Sequence, residues 1–259
     1  MPAATVVPFR TRANPEVVAA AVSAPDAPRV VAAFSAALLR SPPRPNGLAA
    51  CVGYLQEDAG RIPARQMGMR ALQNLRGALF CAPGRDAEMA LLWREALASA
   101  CFARVVAMQS HFDAPLLTGA GLLHRAGEIV ALRALAQAEL EAGQRLVGPV
   151  MQEILNARDD ELVSRVTRCW MLPCELRLLV IRWREEQDLA RRPESVSLLI
   201  MAQAFATEMV HAATCTPGLV EAAGDSMKVP RQLIEQVRAA GPGIEALLAQ
   251  LAPAQTQQA

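Results

Sequence analysis

The stretch Leu92–Met108 reads LWREALASACFARVVAM and repeats large apolar side chains every three or four residues. The candidate buried face consists of Trp93, Leu97, Cys101, Val105 and Met108. This spacing follows the 3.6-residue turn of an α-helix, so it predicts a helix with one buried side. We expect the helix over about 87–109, with Asp86 as its N-cap because a short polar side chain there accepts from the first free backbone N–H groups.

The same period recurs along the chain, whereas alternating strand patterns are absent. Apolar residues make up 53% of the 259 residues, which is enough for a sizeable core. Breaks such as SPPRPNG at 41–47 separate the helical segments. The sequence therefore predicts an all-α fold, a bundle of many helices. We expect helices at about 28–40, 47–57, 63–80, 87–109, 116–123, 128–156, 160–172, 175–186, 193–211, 230–239 and 243–251.

Three regions are expected along the chain. Residues 1–25 contain prolines and little periodicity, which predicts a flexible N-terminal arm. Residues 26–225 are expected to form the main helical domain. Residues 226–259 are expected to add C-terminal helices and a disordered tail, APAQTQQA.

Charge and hydropathy exclude several classes of protein. Lys and Arg number 26 against 25 Asp and Glu, a net charge of +1, whereas nucleic-acid binders usually show a basic excess. No apolar run is long enough to cross a bilayer, and the early VVAAAVSA lacks the basic start of a signal peptide. We therefore expect a soluble, cytoplasmic protein without a membrane partner and without a nucleic-acid partner.

The motifs of common enzyme classes are missing. There is no P-loop, no G-x-G-x-x-G and no G-x-S-x-G. The cysteines lie at 51, 81, 101, 169, 174 and 215 and form no C-x-x-C pair, whereas zinc sites need tighter spacing. We interpret the cysteines as buried, reduced thiols that pack as small apolar side chains.

Four stretches in a fixed order resemble the HDOD family, the HD-related output domains of bacterial signalling proteins. They are IPARQMGMRALQNLRGALF (62–80), LWREALASACFARVVA (92–107), GLLHRAG (121–127) and the W-x-L-P segment ELVSRVTRCWMLPCELRLLVIRW (161–183). The signature residues are Trp93, Gly121, Leu122, Leu123, Gly127, Trp170, Leu172, Pro173 and Trp183. The resemblance implies an HD-like helical bundle and a regulatory role, often in the control of second-messenger enzymes, motility or gene expression.

The catalytic relatives of this family bind a divalent metal with a first His, an adjacent His-Asp pair and a later Asp. At the similar positions this chain has Glu95, His124-Arg125 and Gln203, with Arg184 and Glu185 at the His-rich end of the W-x-L-P segment. Metal-assisted hydrolysis needs a cluster of imidazole and carboxylate ligands, and here one imidazole remains. Because Arg125 would add a cation beside any metal, we expect no metal, no cofactor and no catalysis.

A former active-site cleft is the candidate site for a ligand or partner. Its candidate residues are Glu95, His124, Arg125, Arg184, Glu185 and Gln203. In this hypothesis Arg125 or Arg184 pairs with Glu95 in place of the metal. The alternative for His124 is a histidine that is hydrogen-bonded within the fold at the end of an apolar helix.

Two further histidines are interpreted as solvated or core-edge residues. His111 precedes Asp113 by two positions, a spacing that does not share a helix face. His211 has no carboxylate near it in sequence except Glu208. The three tryptophans fall on apolar helix faces and are interpreted as core residues.

Two functions from different classes fit these observations. The first is a non-catalytic regulatory domain that contacts a regulatory or second-messenger-related protein in trans, with Ile244–Leu251 and the N-terminal arm as docking or dimerisation elements. The alternative is a small-molecule sensor in which Arg125 and Arg184 hold a nucleotide or other anion. A residual hydrolase would require bound metal.

Overall fold

The computed structural model of the chain describes residues 30, 33–34, 36–37, 47–56, 62–143, 145–146, 159–185, 193–213 and 215–251. For 62–67, 159–161 and 184–185 it describes the backbone alone. The regular secondary structure within these ranges is helical, which confirms the all-α prediction. The expected N-terminal arm and the tail after residue 251 lie outside the described residues.

The helices follow the predicted breaks closely. They are α1 (Leu48–Gln56), α2 (Ile62–Leu79), α3 (Asp86–Gln109), α4 (Ala114–Leu123), α5 (Ala126–Ala142), α6 (Asp159–Cys169), α7 (Cys174–Glu185), α8 (Glu194–Val210), α9 (Leu219–Met227), α10 (Arg231–Ala239) and α11 (Gly241–Leu251). The sequence missed α9. The helical zone predicted over 128–156 is interrupted after Ala142, because Gly143 adopts the left-handed conformation (φ 67°) and caps α5. The part of that zone over 147–156 lies outside the described residues.

The central helix of the fold is α3. Helices α4, α8, α10 and α11 pack against it. It is buried on most sides rather than on one face, because neighbouring helices surround it. The predicted single face is also wrong at its end, since Val105 is half-buried and Met108 is 56% exposed where the last turn leaves the core. The N-cap of α3 is Arg85, whereas Asp86 is the first helical residue.

Helices α3 and α4 cross in very close contact at Gly121. A Cβ atom at this position would lie 2.7 Å from the Ser99 carbonyl oxygen and 2.8 Å from the Ala100 Cα. No side chain fits between these backbones, so the crossing depends on glycine. Gly121 therefore has a structural reason for its place in the G-L-L-H segment.

The signature residues of the sequence lie mostly in the core. Trp93 is buried and meets the Phe80 ring edge-on at 5.0 Å between centroids. Trp170 and Leu172 are buried, whereas Trp183 is half-buried and Pro173, which precedes α7, is exposed. The remaining signature residues, Leu122, Leu123 and Gly127, are buried.

The C-terminal helices complete the core. Ile234 and Val237 of α10 and Ile244, Leu248 and Leu251 of α11 are buried. The apolar side of Ile244–Leu251, expected to dock a partner or a second copy, therefore packs within the chain itself. That expectation is wrong for the buried side of α11.

Five of the six cysteines divide into two groups, and the sixth, Cys215, is half-buried. Cys51 and Cys101 are buried, and burial raises the pKa of Cys51 to about 11 and that of Cys101 to about 12. Cys81, Cys169 and Cys174 are exposed, so the interpretation as buried thiols is wrong for them. Cys169 ends α6, Cys174 begins α7 and Cys81 follows the end of α2. Of the described helices, none combines the length and apolar character needed to span a bilayer.

Candidate functional site

The candidate site forms where three distant segments of the chain meet at Glu95. Glu95 lies in the first half of α3 and is only 8% exposed. Arg125, in the turn between α4 and α5, and His211, at the C-terminal cap of α8, both reach its carboxylate. A buried carboxylate needs such partners, because its charge is costly to remove from water.

Arg125 joins two carboxylates. Its Nη1 pairs with Oε2 of Glu95. Its Nε and Nη2 donate to the two oxygens of Glu128 in α5, at 2.9 and 2.8 Å. The predicted pairing of Arg125 with Glu95 is thus present, and the guanidinium is held in a fixed orientation by a two-pronged contact with Glu128.

His211 is the site residue that sequence reasoning missed. Its Nε2 contacts Oε1 of Glu95. Burial and the neighbouring Arg125 cation lower the pKa of His211, so at neutral pH the ring donates its Nε2–H as an uncharged imidazole. Glu208, the nearby carboxylate that the sequence offered, instead accepts from the backbone N–H of Val220 at 3.0 Å. No local signal pairs His211 with Glu95, because 116 residues separate them.

His124 is buried and serves the fold. Its Nδ1 is 2.6 Å from the Gly121 carbonyl oxygen, so the proton resides on Nδ1. Its ring meets that of Trp183 edge-on at 5.2 Å, and the indole N–H of Trp183 donates to the His124 carbonyl oxygen at 3.0 Å. This agrees with the interpretation of His124 as a histidine bonded within the fold, and it ties α7 to the end of α4.

The structure does not bring Gln203 to Glu95. Helices α3 and α8 run antiparallel, since His211 meets Glu95 while Phe205 stacks on Phe102 at 5.2 Å. Gln203 precedes His211 by about two helical turns, roughly 12 Å along α8. The side chains of Arg184 and Glu185, at the end of α7, lie outside the described residues.

A second buried ionic cluster surrounds Arg85. Arg85 is 2% exposed and pairs with Glu139 of α5 and with Glu88 of α3, the latter at 2.8 Å. It also donates to the Leu146 carbonyl oxygen, and the Leu146 N–H donates to Glu139 at 2.6 Å. These bonds hold the chain after α5 against the start of α3. The cluster raises the pKa of Arg85 above its ordinary value.

The His-Phe-Asp segment has a structural role. Asp113 is the N-cap of α4 and accepts from the Leu116 N–H at 2.8 Å. His111 is exposed and has a positive φ of 55°. Within the part of the chain that the structure describes, no group of three or more His, Cys, Asp or Glu residues is placed to hold a metal ion.

Comparison with known proteins gave one match. The family model of the HDOD domain matches residues 67–185, which is slightly less than half of the chain. The comparisons with curated proteins and with solved structures found no significant match. The matched range includes α3 with Glu95, the Gly121–Arg125 segment and the W-x-L-P turn, in the order that the sequence predicted. The resemblance to the HDOD family is therefore confirmed over residues 67–185.

Proposed function

We propose that this chain is a non-catalytic regulatory protein of bacterial signal transduction that acts through protein contacts in the cytoplasm. The HDOD domain supports a signalling or regulatory role. The observation that carries the finer proposal is the contact of the Arg125 guanidinium with Glu95. The family's catalytic relatives have metal ligands at the positions similar to these two residues.

The chemistry of this contact supports a degenerate metal site. A divalent ion at the Glu95 carboxylate would have to displace a guanidinium that is itself fixed by Glu128. If the guanidinium stayed, the two cations would repel each other at close range in a partly buried place. The ring of His124, the retained histidine, is directed to a backbone carbonyl through Nδ1 and packs on Trp183.

The alternative of an anion sensor is less well supported. Arg125 would have to bind the anion while it contacts Glu95 and Glu128. An incoming phosphate would meet two carboxylates at the same guanidinium, and like charges at such range disfavour binding. The regulatory partner is therefore proposed to be a protein in trans, and dimerisation of the chain remains a further option.

Metal content and hydrolysis test this proposal. Protein purified without an affinity tag is analysed for bound metal and assayed for hydrolysis of bis(p-nitrophenyl) phosphate with added Mn²⁺. We expect no stoichiometric metal and no hydrolysis above a buffer blank. Stoichiometric metal, or hydrolysis that Glu95→Ala abolishes, would contradict a non-catalytic protein.

A pair of variants separates the role of Arg125 from a general effect of charge. Arg125→Asp replaces the guanidinium with a possible metal ligand beside Glu95, and Arg182→Asp makes the same change at an exposed position of α7. We expect Mn²⁺ to raise the melting temperature of Arg125→Asp and not that of Arg182→Asp, because a ligand selective for the native state stabilises it. An equal response of the two variants would contradict the exclusion of metal by Arg125.

A further inference from the structure

We propose that the corner between α6 and α7 is a docking surface for an acidic, amphipathic segment of a partner protein. The surface, called here the α6–α7 corner, consists of Arg168, Met171, Arg177, Leu178 and Arg182. The inference rests on the proposed function, because it names the surface and the chemistry of the partner through which a regulatory domain would act.

Met171 is the most distinctive part of this surface. Its side chain is 73% exposed, although methionine is usually buried. Its φ is +53°, in the left-handed region that favours glycine. The turn closes with bonds from the Met171 N–H to the Arg168 carbonyl oxygen (3.0 Å) and from the Leu172 N–H to the Thr167 carbonyl oxygen (3.4 Å). This is the Schellman arrangement, in which glycine is the common residue at the position of Met171.

The choice of methionine here is therefore unfavourable for folding. A left-handed backbone costs a residue with a Cβ about 1 kcal/mol, and the exposed Met171 side chain gains little from burial in return. A large apolar group that adds strain without filling the core is typical of a surface that binds something.

Leu178 extends the apolar surface along α7. It is 45% exposed. Cys174, Leu178 and Arg182 are exposed and spaced by four residues, so they share one side of the helix, and this stripe begins three residues after Met171. The exposed side of the corner therefore carries, in chain order, the Met171 thioether, the Cys174 thiol, the Leu178 side chain and the Arg182 guanidinium.

The charges of the corner favour an acidic partner. Elsewhere in the described structure Arg85, Arg125 and Arg238 each pair with carboxylates. In contrast, no carboxylate of the described residues lies within ion-pair distance of the three arginines of the corner, Arg168, Arg177 and Arg182. Glu175, an exposed acidic residue at the start of α7, forms no ion pair with them. Positive charge around exposed apolar side chains is complementary to a segment with Glu or Asp beside Leu or Phe.

A protein segment fits this surface better than a membrane or a nucleic acid. Methionine adapts its unbranched side chain to apolar groups of different shape, which suits the docking of a peptide. Arginine binds carboxylates through two parallel hydrogen bonds. Glu175, in the first turn of α7, disfavours the dense phosphates of a bilayer or a polynucleotide, and the whole chain has a net charge of only +1.

Binding of a designed peptide to the full chain tests the proposal. The probe is a fluorescein-labelled peptide that repeats Leu-Glu-Glu-Leu, followed by fluorescence anisotropy. The comparison probes are the same peptide with Lys for Glu, vesicles of phosphatidylglycerol, and single-stranded oligothymidine. We expect the acidic peptide to bind more tightly than any of the other three. Tighter binding of the Lys peptide, the vesicles or the DNA would overturn the assignment of the partner, and absence of binding by the acidic peptide would overturn the docking surface.

Met171→Gly is the decisive variant, with His111→Gly as its matched control. Both positions are left-handed residues two positions after the last residue of a helix, so both changes relieve the same backbone strain. We expect Met171→Gly to weaken peptide binding about tenfold or more while its melting temperature stays equal or rises. We expect His111→Gly to bind like the unchanged chain. Equal affinity of Met171→Gly and the unchanged chain would contradict the proposal.

Two further pairs of variants, each with a matched control, test the surface independently of Met171→Gly. Leu178→Gln removes an apolar group from the corner, and Leu140→Gln removes one that is 67% exposed on α5. Arg182→Glu reverses a charge in the corner, and Arg231→Glu reverses an exposed one on α10. Only the first member of each pair is expected to weaken binding. If the peptide does not bind while metal and hydrolysis are absent as expected, the surface is wrong and the non-catalytic function stands.

Discussion

Arg125 and Glu95 form an ion pair that fastens the turn between α4 and α5 to the central helix α3. The Glu95 carboxylate is nearly inaccessible to solvent, whereas Arg125 retains a quarter of its accessible surface. Loss of the arginine and loss of the carboxylate should therefore have different effects on stability. Removal of the arginine leaves a buried negative charge, and removal of the carboxylate leaves a cation that still has Glu128.

Arg125→Met is expected to lower the free energy of unfolding by about 2 kcal/mol, less than a fully buried pair would lose because Arg125 is partly exposed. Urea denaturation of the variant measures this loss. Combining it with Glu95→Met should restore part of the stability, since the uncompensated charge is then removed as well. The exposed Arg182→Met serves as the control, with an expected change within about 0.5 kcal/mol. A single variant Arg125→Met as stable as the unchanged chain would show that the pair contributes nothing.

The histidine at the same site makes stability depend on pH. The pKa of His211 in the folded chain lies below its ordinary value of 6.5, because of burial and the Arg125 cation. The folded state therefore favours the uncharged ring. The resulting stability is fully present above pH 6.5 and decreases as the pH falls through the folded pKa.

His211→Gln keeps an N–H group near Glu95 but removes this titration. We expect the stability advantage of the unchanged chain over His211→Gln, measured by urea denaturation, to shrink between pH 7.5 and pH 5. The imidazole proton signal of His211 in an NMR titration should have its midpoint below 6.5. A midpoint above 6.5 would mean that the ring is stabilised as a cation by Glu95, contrary to our assignment.

Two glycines should respond to alanine with opposite sign. Gly121→Ala places a Cβ against the backbone of Ser99 and Ala100, so we expect a loss of about 3 kcal/mol in the free energy of unfolding. Gly77→Ala, in α2, meets nothing within 4 Å and should gain about 0.5 to 1 kcal/mol from helix propensity. Thermal or urea denaturation of both variants provides the comparison. Tolerance of alanine at position 121 would disprove the close crossing of α3 and α4.

The buried cluster around Arg85 offers a similar contrast. Arg85→Met leaves Glu139 and the Leu146 carbonyl oxygen without the guanidinium, so the loss should reach about 3 to 5 kcal/mol. Arg145→Met removes a more exposed arginine whose contact with Glu88 is long, at 3.5 Å, and should change stability by less than about 0.5 kcal/mol. Equal midpoints of urea denaturation for the two variants would contradict the role of Arg85.

Thiol labelling distinguishes the two groups of cysteines. In the native protein at pH 8, iodoacetamide should modify Cys81, Cys169 and Cys174 first. Cys51 and Cys101 should react about a hundredfold more slowly, because they are buried and their thiols have pKa values of about 11 and 12. Peptide mapping by mass spectrometry gives the rates, and labelling in urea is the control in which the difference should vanish. Rapid native labelling of Cys101 would contradict its burial.

The helical period of the sequence was sufficient for most of the helix bounds, because turns and periodicity are local properties. The order of the HDOD segments also led to the hypothesis that Arg125 or Arg184 pairs with Glu95, and the structure shows the pair with Arg125. His211 could not be found in this way, since only the antiparallel packing of α3 and α8 brings it to Glu95. The left-handed backbone of Met171 was equally hidden, because methionine gives no sign of a conformation that tertiary structure imposes. The sequence pattern of α3 predicts one buried face, whereas the helices packed around it bury most of its sides. The pattern could not show this, because it contains no information on which helices are neighbours.

The enclosure of α3 by α4, α8, α10 and α11 also has a practical meaning for anyone who shortens this protein. The family match stops at residue 185, before three of these four helices begin. A fragment cut at that boundary would expose apolar surface of the central helix to water and should aggregate or unfold. The folding unit is therefore longer than the range that the family model matches. A fragment made for expression should include the chain at least to Leu251.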